Sequence, residues 1–334
     1  METSVSAKVY ILLYQLSTLW MDDHQPGKVN LKQLETVALV AELGSLSRAA
    51  RALGTAQSLV SRAIAQIEAE WGDRLFERTG RGVVLSEFGK RIFPEIELLL
   101  AQSARLHDEV RNAAGVPVGM VRIGVLPSMT RRLIPALFAD LRDTAPGVRL
   151  RVAEGFSGQL DEQLDSGHLD LAVINRYGPS PRQNEDVLAT VANYLVSAPG
   201  HPLTAGPAVD FRRLDGVPLV LPPAPNGLRL ILDQHARQQG VTLDVALEVE
   251  SLNAMKEVAL SGHALTILPQ LAVDDEVGAG RLAAAEIVKP QLPRAISLGV
   301  TQHHPLSRAA RVVLSRLHDL VPHVTARNWS GKAK

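Results

Sequence analysis

Apolar residues recur at helical spacing in the first third of the chain, and the organised pattern begins at Val29. The first stripe stops at Gly44, a residue typical of helix ends, and Ser45 can cap a second, shorter helix. A third stripe follows after a Gly-Thr turn and consists of Val60, Ile64, Ile67 and Trp71. This succession predicts a helix-turn-helix with a long recognition helix.

The third predicted helix has a polar face opposite its apolar stripe. That face carries Gln57, Ser58, Ser61 and Arg62, and no acidic residue occurs until Glu68. Gln can bridge an adenine edge, Arg can bind a guanine edge at two atoms, and Ser can reach phosphates or bases. The face therefore favours contact with DNA, although a solvated face on an ordinary helix bundle remains the alternative.

Two short strand-like segments joined by a turn at residues 80–82 come next. They predict a β-hairpin with Arg81 at its tip, and a hairpin directly after a recognition helix is typical of a wing. A plain surface hairpin is the alternative. The DNA-contacting residues predicted from the helices and the wing are Ser47, Arg48, Gln57, Ser58, Ser61, Arg62, Arg78, Thr79 and Arg81.

Residues 87–112 have apolar positions that alternate four and three apart, as in a coiled-coil seam. Pro94 lies early in this seam and can bend the helix. The seam predicts pairing with a second copy of the chain, which would supply two half-sites on one face of DNA; packing on the chain's own core is the alternative. The positions predicted for dimerisation are Ile92, Ile96, Leu99, Leu106 and Val110.

Strands and helices alternate from residue 121 onwards, which predicts a parallel α/β unit. A second, similar series begins near residue 191, and a last strand and helix follow it. Two such lobes enclose a cleft, and ligands in these folds lie beyond the carboxyl ends of the strands. The strand exits with suitable hydroxyl, amide or helix-start groups are Ser128, Thr130, Ser157, Asn226 and Gly227. For each singly, a helix N-cap alone is the alternative.

The segments "SLSRAARALG", "QSLVSRAIAQIE" and "RLFERTGRG", followed by the run from Ser86 to Gly89, occur in the order and spacing found in LysR-type transcriptional regulators. The chain resembles this family from residue 29 to residue 322. The resemblance implies an α/β fold with an N-terminal winged helix-turn-helix, a linker helix that dimerises, and a two-lobed effector domain of the periplasmic-binding-protein (type 2) kind. One departure is Ala56, where the family usually has a Ser or Thr that caps the recognition helix and contacts phosphate; Thr55 could cap instead.

The resemblance also implies the domain boundaries and partners. The boundaries are 1–28 for an N-terminal extension, 29–86 for the DNA-binding domain, 87–112 for the linker helix, 113–120 for a linker, 121–190 with 288–322 for lobe I, 191–287 for lobe II and 323–334 for a tail. The expected partners are double-stranded DNA, a small anionic or polar effector, a second copy in a homodimer or homotetramer, and RNA polymerase. The residues to which the resemblance gives effector binding are Ser128, Thr130, Ser157, Asn226 and Gly227. Met129 and Phe156 would line the same cleft or pack in the core.

Composition limits the kinds of partner, chemistry and location that the chain can have. The net charge is zero, so attraction to DNA must be local, and the absence of cysteine excludes disulfides and thiolate chemistry and fits a cytoplasmic protein. His303 and His304 lack a third ligand at a recognisable spacing, so no metal is expected. No cofactor is expected either. Residues 9–20 are apolar but too short to span a bilayer, and residues 1–28 are either a poorly ordered extension or the product of a misassigned start.

Two other functions remain open. One is an enzyme that acts on a small carboxylate on a binding-protein-like fold, which would require a general acid or base in the cleft. The other is an architectural DNA-binding protein whose sensor no longer binds a ligand. The first leaves the pattern of residues 45–86 without an explanation.

Overall fold

The computed structural model describes residues 29–80, 82–112, 117–178 and 185–326. The chain divides into two compact units, and the division falls after Ala104. The predicted N-terminal extension and Arg81 lie outside the described residues, as do parts of the predicted linker and tail.

The first unit contains three helices, a two-stranded antiparallel hairpin and the beginning of a long helix. In chain order these elements are α1 (Leu31–Leu43), α2 (Leu46–Ala52), α3 (Gln57–Trp71), β1 (Phe76–Thr79), β2 (Gly82–Leu85) and α4 (Glu87–Asn112). The predicted winged helix-turn-helix is confirmed.

The helix ends follow from the local sequence. Helix α1 stops at Gly44, whose φ of 60° is left-handed, and the Ser45 side chain accepts a hydrogen bond from the Arg48 amide at 3.4 Å to begin α2. Helix α3 begins after Ala56 with no side-chain cap, so Thr55 does not replace the missing hydroxyl. The core of the unit is built from Leu34, Val37, Val40, Ala49, Ala50, Val60, Ile64 and Ile67.

The second unit contains the remaining strands and helices. In chain order they are β3 (Gly119–Val125), α5 (Pro127–Thr144), β4 (Val148–Glu154), α6 (Ser157–Asp165), β5 (Leu171–Arg176), β6 (Glu185–Val191), β7 (Asn193–Ser197), β8 (Ala208–Asp210), β9 (Pro218–Leu221), α7 (Gly227–Gln239), β10 (Asp244–Glu248), α8 (Leu252–Ser261), β11 (Leu265–Pro269), α9 (Gln270–Gly278), β12 (Ala283–Val288), β13 (Arg294–Val300) and α10 (Arg308–Thr325). Two 3-10 turns, Pro202–Thr204 and Phe211–Leu214, flank β8.

Two sheets divide this unit into two lobes. The sheet of lobe I has the order β4-β3-β5-β13-β6, and that of lobe II has the order β10-β9-β11-β7-β12-β8. Strand β13 follows the whole of lobe II, yet it lies antiparallel between β5 and β6. The chain therefore crosses between the lobes after β6 and returns before β13, and the residues at these crossings lie where the lobes meet.

Each sheet is covered by helices on both faces. In lobe I, α5 and α10 bury apolar side chains against one face, and Leu160 and Leu164 of α6 cover the other. In lobe II, α7 packs on one face and α8 with α9 on the other. This layering explains why the central strands, such as β11, are apolar throughout rather than alternating.

Candidate functional site

The recognition helix α3 presents the predicted polar face to solvent. Gln57, Ser58 and Arg62 are exposed and Ser61 is partly buried, whereas the opposite stripe is in the core. One side of the helix packs on the core of the first unit, and the polar side points away from that core.

Helix α2 supports this face. Ser47 Oγ donates a hydrogen bond to Gln57 Oε1 at 3.0 Å, so the glutamine side chain is held in place across the turn. Arg48 and Arg78 are exposed, and neither these two nor Arg62 forms an ion pair with another of the described residues. Uncompensated guanidinium groups on one surface attract a polyanion locally, although the whole chain is neutral.

The wing is anchored to the helix-turn-helix by backbone contacts. Strands β1 and β2 pair from Phe76 with Leu85 to Thr79 with Gly82, and the Val83 amide donates to the Gly44 carbonyl at 3.0 Å. A Cβ on Gly82 would clash with that same carbonyl, and its φ of 149° is unfavourable for other residues. Thr79 is exposed at the end of β1; Arg81 at the tip lies outside the described residues.

The predicted dimer seam is corrected at Ile96. This residue is 3% exposed and belongs to the core of the first unit, with Ile92 packed against that core. Leu99 and Leu106 are 46% and 67% exposed, and the side chain of Val110 is outside the description. The seam therefore begins as the chain's own core and becomes an exposed apolar stripe only further along α4.

A cavity of about 530 Å³ lies between the lobes of the second unit, and it brings together four of the predicted effector residues. Ser128 at the start of α5, Ser157 at the start of α6, and Asn226 with Gly227 at the start of α7 all line it, as does Phe156. Three helix N-termini and polar side chains from both lobes thus meet at one place.

Two predicted effector residues do not line this cavity. Met129 is fully buried in the core of lobe I, and the Thr130 hydroxyl donates to the Leu126 carbonyl of its own helix at 3.2 Å. Because α5 begins at Pro127, residues 129 and 130 already turn away from the cleft. The assignment of Met129 to the cleft is therefore wrong. The Thr130 hydroxyl is bonded to the backbone next to its own helix and does not point into the cavity.

Two of the remaining predicted residues, Ser157 and Asn226, form hydrogen bonds within the protein. Ser157 Oγ donates to the Asn175 carbonyl at 3.1 Å and accepts from the Asn175 amide at 3.0 Å. Asn226 Oδ1 accepts from the Leu228 amide at 3.0 Å and caps α7. These bonds orient the two side chains at the cavity in the absence of a ligand, as in a preformed ligand site.

Sequence reasoning missed three residues at the floor of the cavity: Tyr177, Asn193 and Arg294. They lie where β5 ends, where β7 begins and where β13 begins. Asn193 is fully buried and Arg294 is 5% exposed. In sequence, Asn193 and Arg294 stand at the ends of ordinary strands, and nothing local marks them as buried.

Arg294 is a buried cation with neutral neighbours. Its Nη2 donates to Ser128 Oγ at 3.1 Å, and its guanidinium also bonds to the Tyr177 hydroxyl. Burial lowers the pKa of Arg294, and the contact with Tyr177 opposes this. Burial likewise raises the pKa of the Tyr177 hydroxyl, which stays protonated near neutral pH.

Metal sites and membrane spans are two other kinds of feature that bear on function. His304 lies 3.8 Å from the Asp170 carboxylate, and within the described ranges no three His, Cys, Asp or Glu side chains are grouped so as to hold a metal ion. None of the helices described is both long enough and apolar enough to cross a membrane.

Comparison with known families covers both units. Residues 31–90 match the bacterial regulatory helix-turn-helix protein family of the lysR type, and residues 114–322 match the LysR substrate binding domain. The chain belongs to the LysR family. This LysR-type protein is accordingly a DNA-binding transcriptional regulator with an effector-binding domain, and the family and fold implied by the sequence motifs are confirmed.

Individual relatives agree with this assignment. The nitrogen assimilation regulatory protein nac of Escherichia coli (strain K12) is 27% identical over 308 residues, which cover 90% of this chain and 99% of the relative. The RuBisCO operon transcriptional regulator of Allochromatium vinosum is 31% identical over 263 residues, or 78% of this chain and 85% of the relative.

Solved structures share the fold. Full-length CbnR complexed with its target DNA superposes with a TM-score of 0.65 at 22% identity, covering 88% of this chain and 99% of that one. A full-length OxyR variant from Pseudomonas aeruginosa gives a TM-score of 0.61 at 22% identity, with 89% and 95% covered.

Proposed function

We propose that this LysR-type regulator binds its operator through the polar face of α3 and the wing. The residues in these roles are Ser47, Arg48, Gln57, Ser58, Ser61, Arg62, Arg78, Thr79 and Arg81. The observation that carries the proposal is the exposed face of α3, with Arg62 unpaired among the described residues and Gln57 positioned by Ser47. A basic and polar helix face of this kind fits the major groove. CbnR, which has the same fold, was solved with its target DNA.

A small polar or anionic effector in the interlobe cavity modulates this binding. Ser128, Ser157, Asn226 and Gly227 are the residues proposed to contact it. The volume of about 530 Å³ falls in the ordinary range for small-ligand sites. Because residues of both lobes line the cavity, a bound effector changes the free energy of the closed arrangement relative to the open one.

Helix α5 can transmit this change. Its first turn carries Ser128 at the cavity, and Arg132 forms an ion pair with Asp274 of lobe II at 2.9 Å. Arg131 pairs with Asp275 next to it. Closure of the lobes around the effector changes how subunits pack, and that repacking alters the spacing or bend of DNA between half-sites.

The assembly is proposed to be a homodimer that forms a homotetramer, with RNA polymerase as a further partner and the cytoplasm as the location. The exposed stripe at Leu99 and Leu106 supports pairing of two α4 helices. The relatives are transcriptional regulators, which supports a role without catalysis.

Footprinting on the intergenic DNA upstream of the protein's own gene tests the proposal. The full chain is titrated at several salt concentrations, because affinity for DNA depends strongly on salt. Two protected half-sites on one face of the DNA are expected. Weak and uniform protection of unrelated DNA would contradict operator binding.

A further inference from the structure

The floor of the interlobe cavity contains a cation without a counter-ion. Arg294 is 5% exposed, and within the described part of the chain no carboxylate acts on its charge. Its Nε is inaccessible to solvent and has no hydrogen-bond partner, although Ser128 and Tyr177 bond to other atoms of the group. Burial of a guanidinium is strongly unfavourable without a compensating anion, so the site is incomplete as it stands.

A second arginine of the same lobe, Arg176, has the carboxylate partners that Arg294 lacks. Arg176 binds both oxygens of Asp161, at 2.8 and 2.6 Å, and also the carboxylate of Glu185 at 2.5 Å. Arg176 stands at the end of β5, which pairs with β13. Lobe I therefore pairs the partly buried Arg176 with two carboxylates, whereas the buried Arg294 lines the cavity without one.

Asn193 has a buried acceptor atom that lacks a hydrogen-bond donor. Its Nδ2 donates to the Leu292 carbonyl at 2.9 Å, which fixes the orientation of the amide, and its Oδ1 is buried without a partner. The Tyr177 hydroxyl lies 3.5 Å from Asn193 Nδ2 and also bonds to Arg294, so both incompletely bonded groups adjoin the same tyrosine. The Arg294 guanidinium needs a hydrogen-bond acceptor, and Asn193 Oδ1 needs a donor.

We propose that the effector is a small 2-hydroxycarboxylate, whose carboxylate is bound by Arg294 and whose hydroxyl donates to Asn193 Oδ1. This inference rests on the proposed function, which places the effector in this cavity. A carboxylate accepts hydrogen bonds from a guanidinium at two atoms, and the adjacent hydroxyl is the nearest donor that such a ligand can offer.

The charges around the cavity favour a hydroxyl over an ammonium group. Asp161, the buried carboxylate that lines the cavity, is already paired with Arg176. Glu162 and Glu250 also line it but are exposed, so water screens their attraction for an ammonium group. Because Asn193 begins β7 of lobe II and Arg294 begins β13 of lobe I, the ligand would bridge the lobes at the crossing strands. Bridging makes ligand affinity depend on lobe closure, as regulation requires.

Thermal unfolding of the full chain tests this with matched probes. Lactate is the smallest chiral 2-hydroxycarboxylate; propionate lacks its hydroxyl, lactamide lacks its charge, and alanine carries an ammonium instead. At constant ionic strength, lactate is expected to raise Tm in a concentration-dependent way, propionate less, and lactamide not at all. Equal shifts with lactate and propionate, or a larger shift with alanine, would contradict the hydroxyl assignment. No response to any carboxylate would overturn the inference.

Variants separate a ligand role from a structural one. Arg294→Met is expected to weaken lactate binding about 10- to 100-fold, which is the usual loss for a hydrogen-bonded charge. Without ligand, its Tm should equal or exceed that of the wild type, because an unpaired buried charge is removed. Arg294→Lys keeps the charge but loses the planar fork, so lactate should bind with intermediate affinity. A Tm loss without ligand, together with an unchanged lactate shift, would make Arg294 purely structural.

The exposed Arg149 of β4 provides a control, and Arg149→Met should leave the lactate shift unchanged. Footprints of the same preparations keep the two proposals apart. If the protein gives a specific footprint but no carboxylate raises its Tm, the 2-hydroxycarboxylate proposal is wrong and the operator-binding proposal stands. Absence of a specific footprint would reject operator binding whatever lactate does.

Discussion

The proposed DNA-facing surface, which consists of the polar face of α3 and the wing, differs from the interlobe cavity in its exposure to water. On α3 the predicted contact residues lie within a few positions of one another and keep Arg62 exposed to water. In the cavity, Ser128 and Arg294 are bonded across 166 positions of sequence, and Arg294 is withdrawn from water during folding. A surface that meets a polyanion loses hydration only on binding, whereas the cavity is desolvated and oriented beforehand.

Because of this difference, we expect substitutions in the two regions to affect DNA affinity and the free energy of unfolding differently. Changes on the α3 face should alter DNA binding and leave the free energy of unfolding almost unchanged, since exposed side chains contribute little to it. Changes around the cavity should affect both, because each buried polar group there is either satisfied by the protein or left for a ligand.

The largest expected effect concerns the satisfied arginine. Arg176→Met leaves Asp161 and Glu185 buried without their cation, so the free energy of unfolding should fall by about 3–5 kcal/mol. Burial opposes the charge of Arg176, but the bonds to the two carboxylates raise its pKa above the ordinary value. Urea unfolding measures the loss.

Arg294→Met is the matched comparison, with the same change in the same sheet. Arg176→Met should lose stability, whereas Arg294→Met should keep or gain it, because the first removes a paired charge and the second an unpaired one. Similar losses from both would show that Arg294 is neutralised by something in the folded chain, and the distinction between the two arginines would fail.

On the DNA side, Arg62→Ala should weaken operator binding about 10- to 100-fold and relax sequence preference at the contacted base, as loss of a bidentate base contact does. Its unfolding curve should overlay that of the wild type. Quantitative footprinting measures the affinity. Arg149→Ala makes the same charge change in the second unit and controls for net charge; an equal loss in both variants would mean that Arg62 acts only through overall charge.

The wing tests whether backbone geometry supports the DNA-facing surface. Gly82→Ala places a Cβ against the Gly44 carbonyl at a φ of 149°, so the bond from Val83 should break at a cost of about 1–3 kcal/mol. DNA affinity should fall as the wing separates from the end of α1. Gly80→Ala, in the same turn but with open space around the added atom, should behave as the wild type. Equal footprints from the two variants would exclude a role for the anchored wing.

The sequence predicts the DNA-facing region better than the cavity, and the reason is physical. Helix caps and stripes depend on residues a few positions apart, so Gly44, Ser45 and the stripe through Ile67 could be recognised from the chain alone. The strand exits at Ser128, Ser157 and Asn226 were also found, because a strand followed by a helix start is local.

What the sequence could not show depends on distant packing. Arg294 comes close to Tyr177 only when β13 returns to lobe I beside β5, and Asn193 does so only when the chain enters lobe II at β7. Met129 was misassigned because the phase of α5 relative to its sheet decides which side faces the cavity. Ile96 was misassigned because an apolar stripe looks the same whether it packs on its own chain or on a second copy.

The smallest expected effect lies at the start of α3, where Ala56 gives the helix no side-chain cap. Ala56→Ser supplies a hydroxyl that can accept from an amide of the first turn, which stabilises a helix by about 0.5–2 kcal/mol. Hydrogen exchange measured on the peptide covering this turn should therefore slow. Ala65→Ser, exposed in the middle of the same helix, adds the same hydroxyl where no amide is available, and it should leave exchange unchanged or slightly faster. If both variants slow exchange alike, the uncapped start does not limit α3. A second result is possible: only Ala56→Ser slows exchange, and lactate in the cavity does not change exchange of this peptide. In that case the stability at the start of α3 does not depend on ligand binding in the absence of DNA.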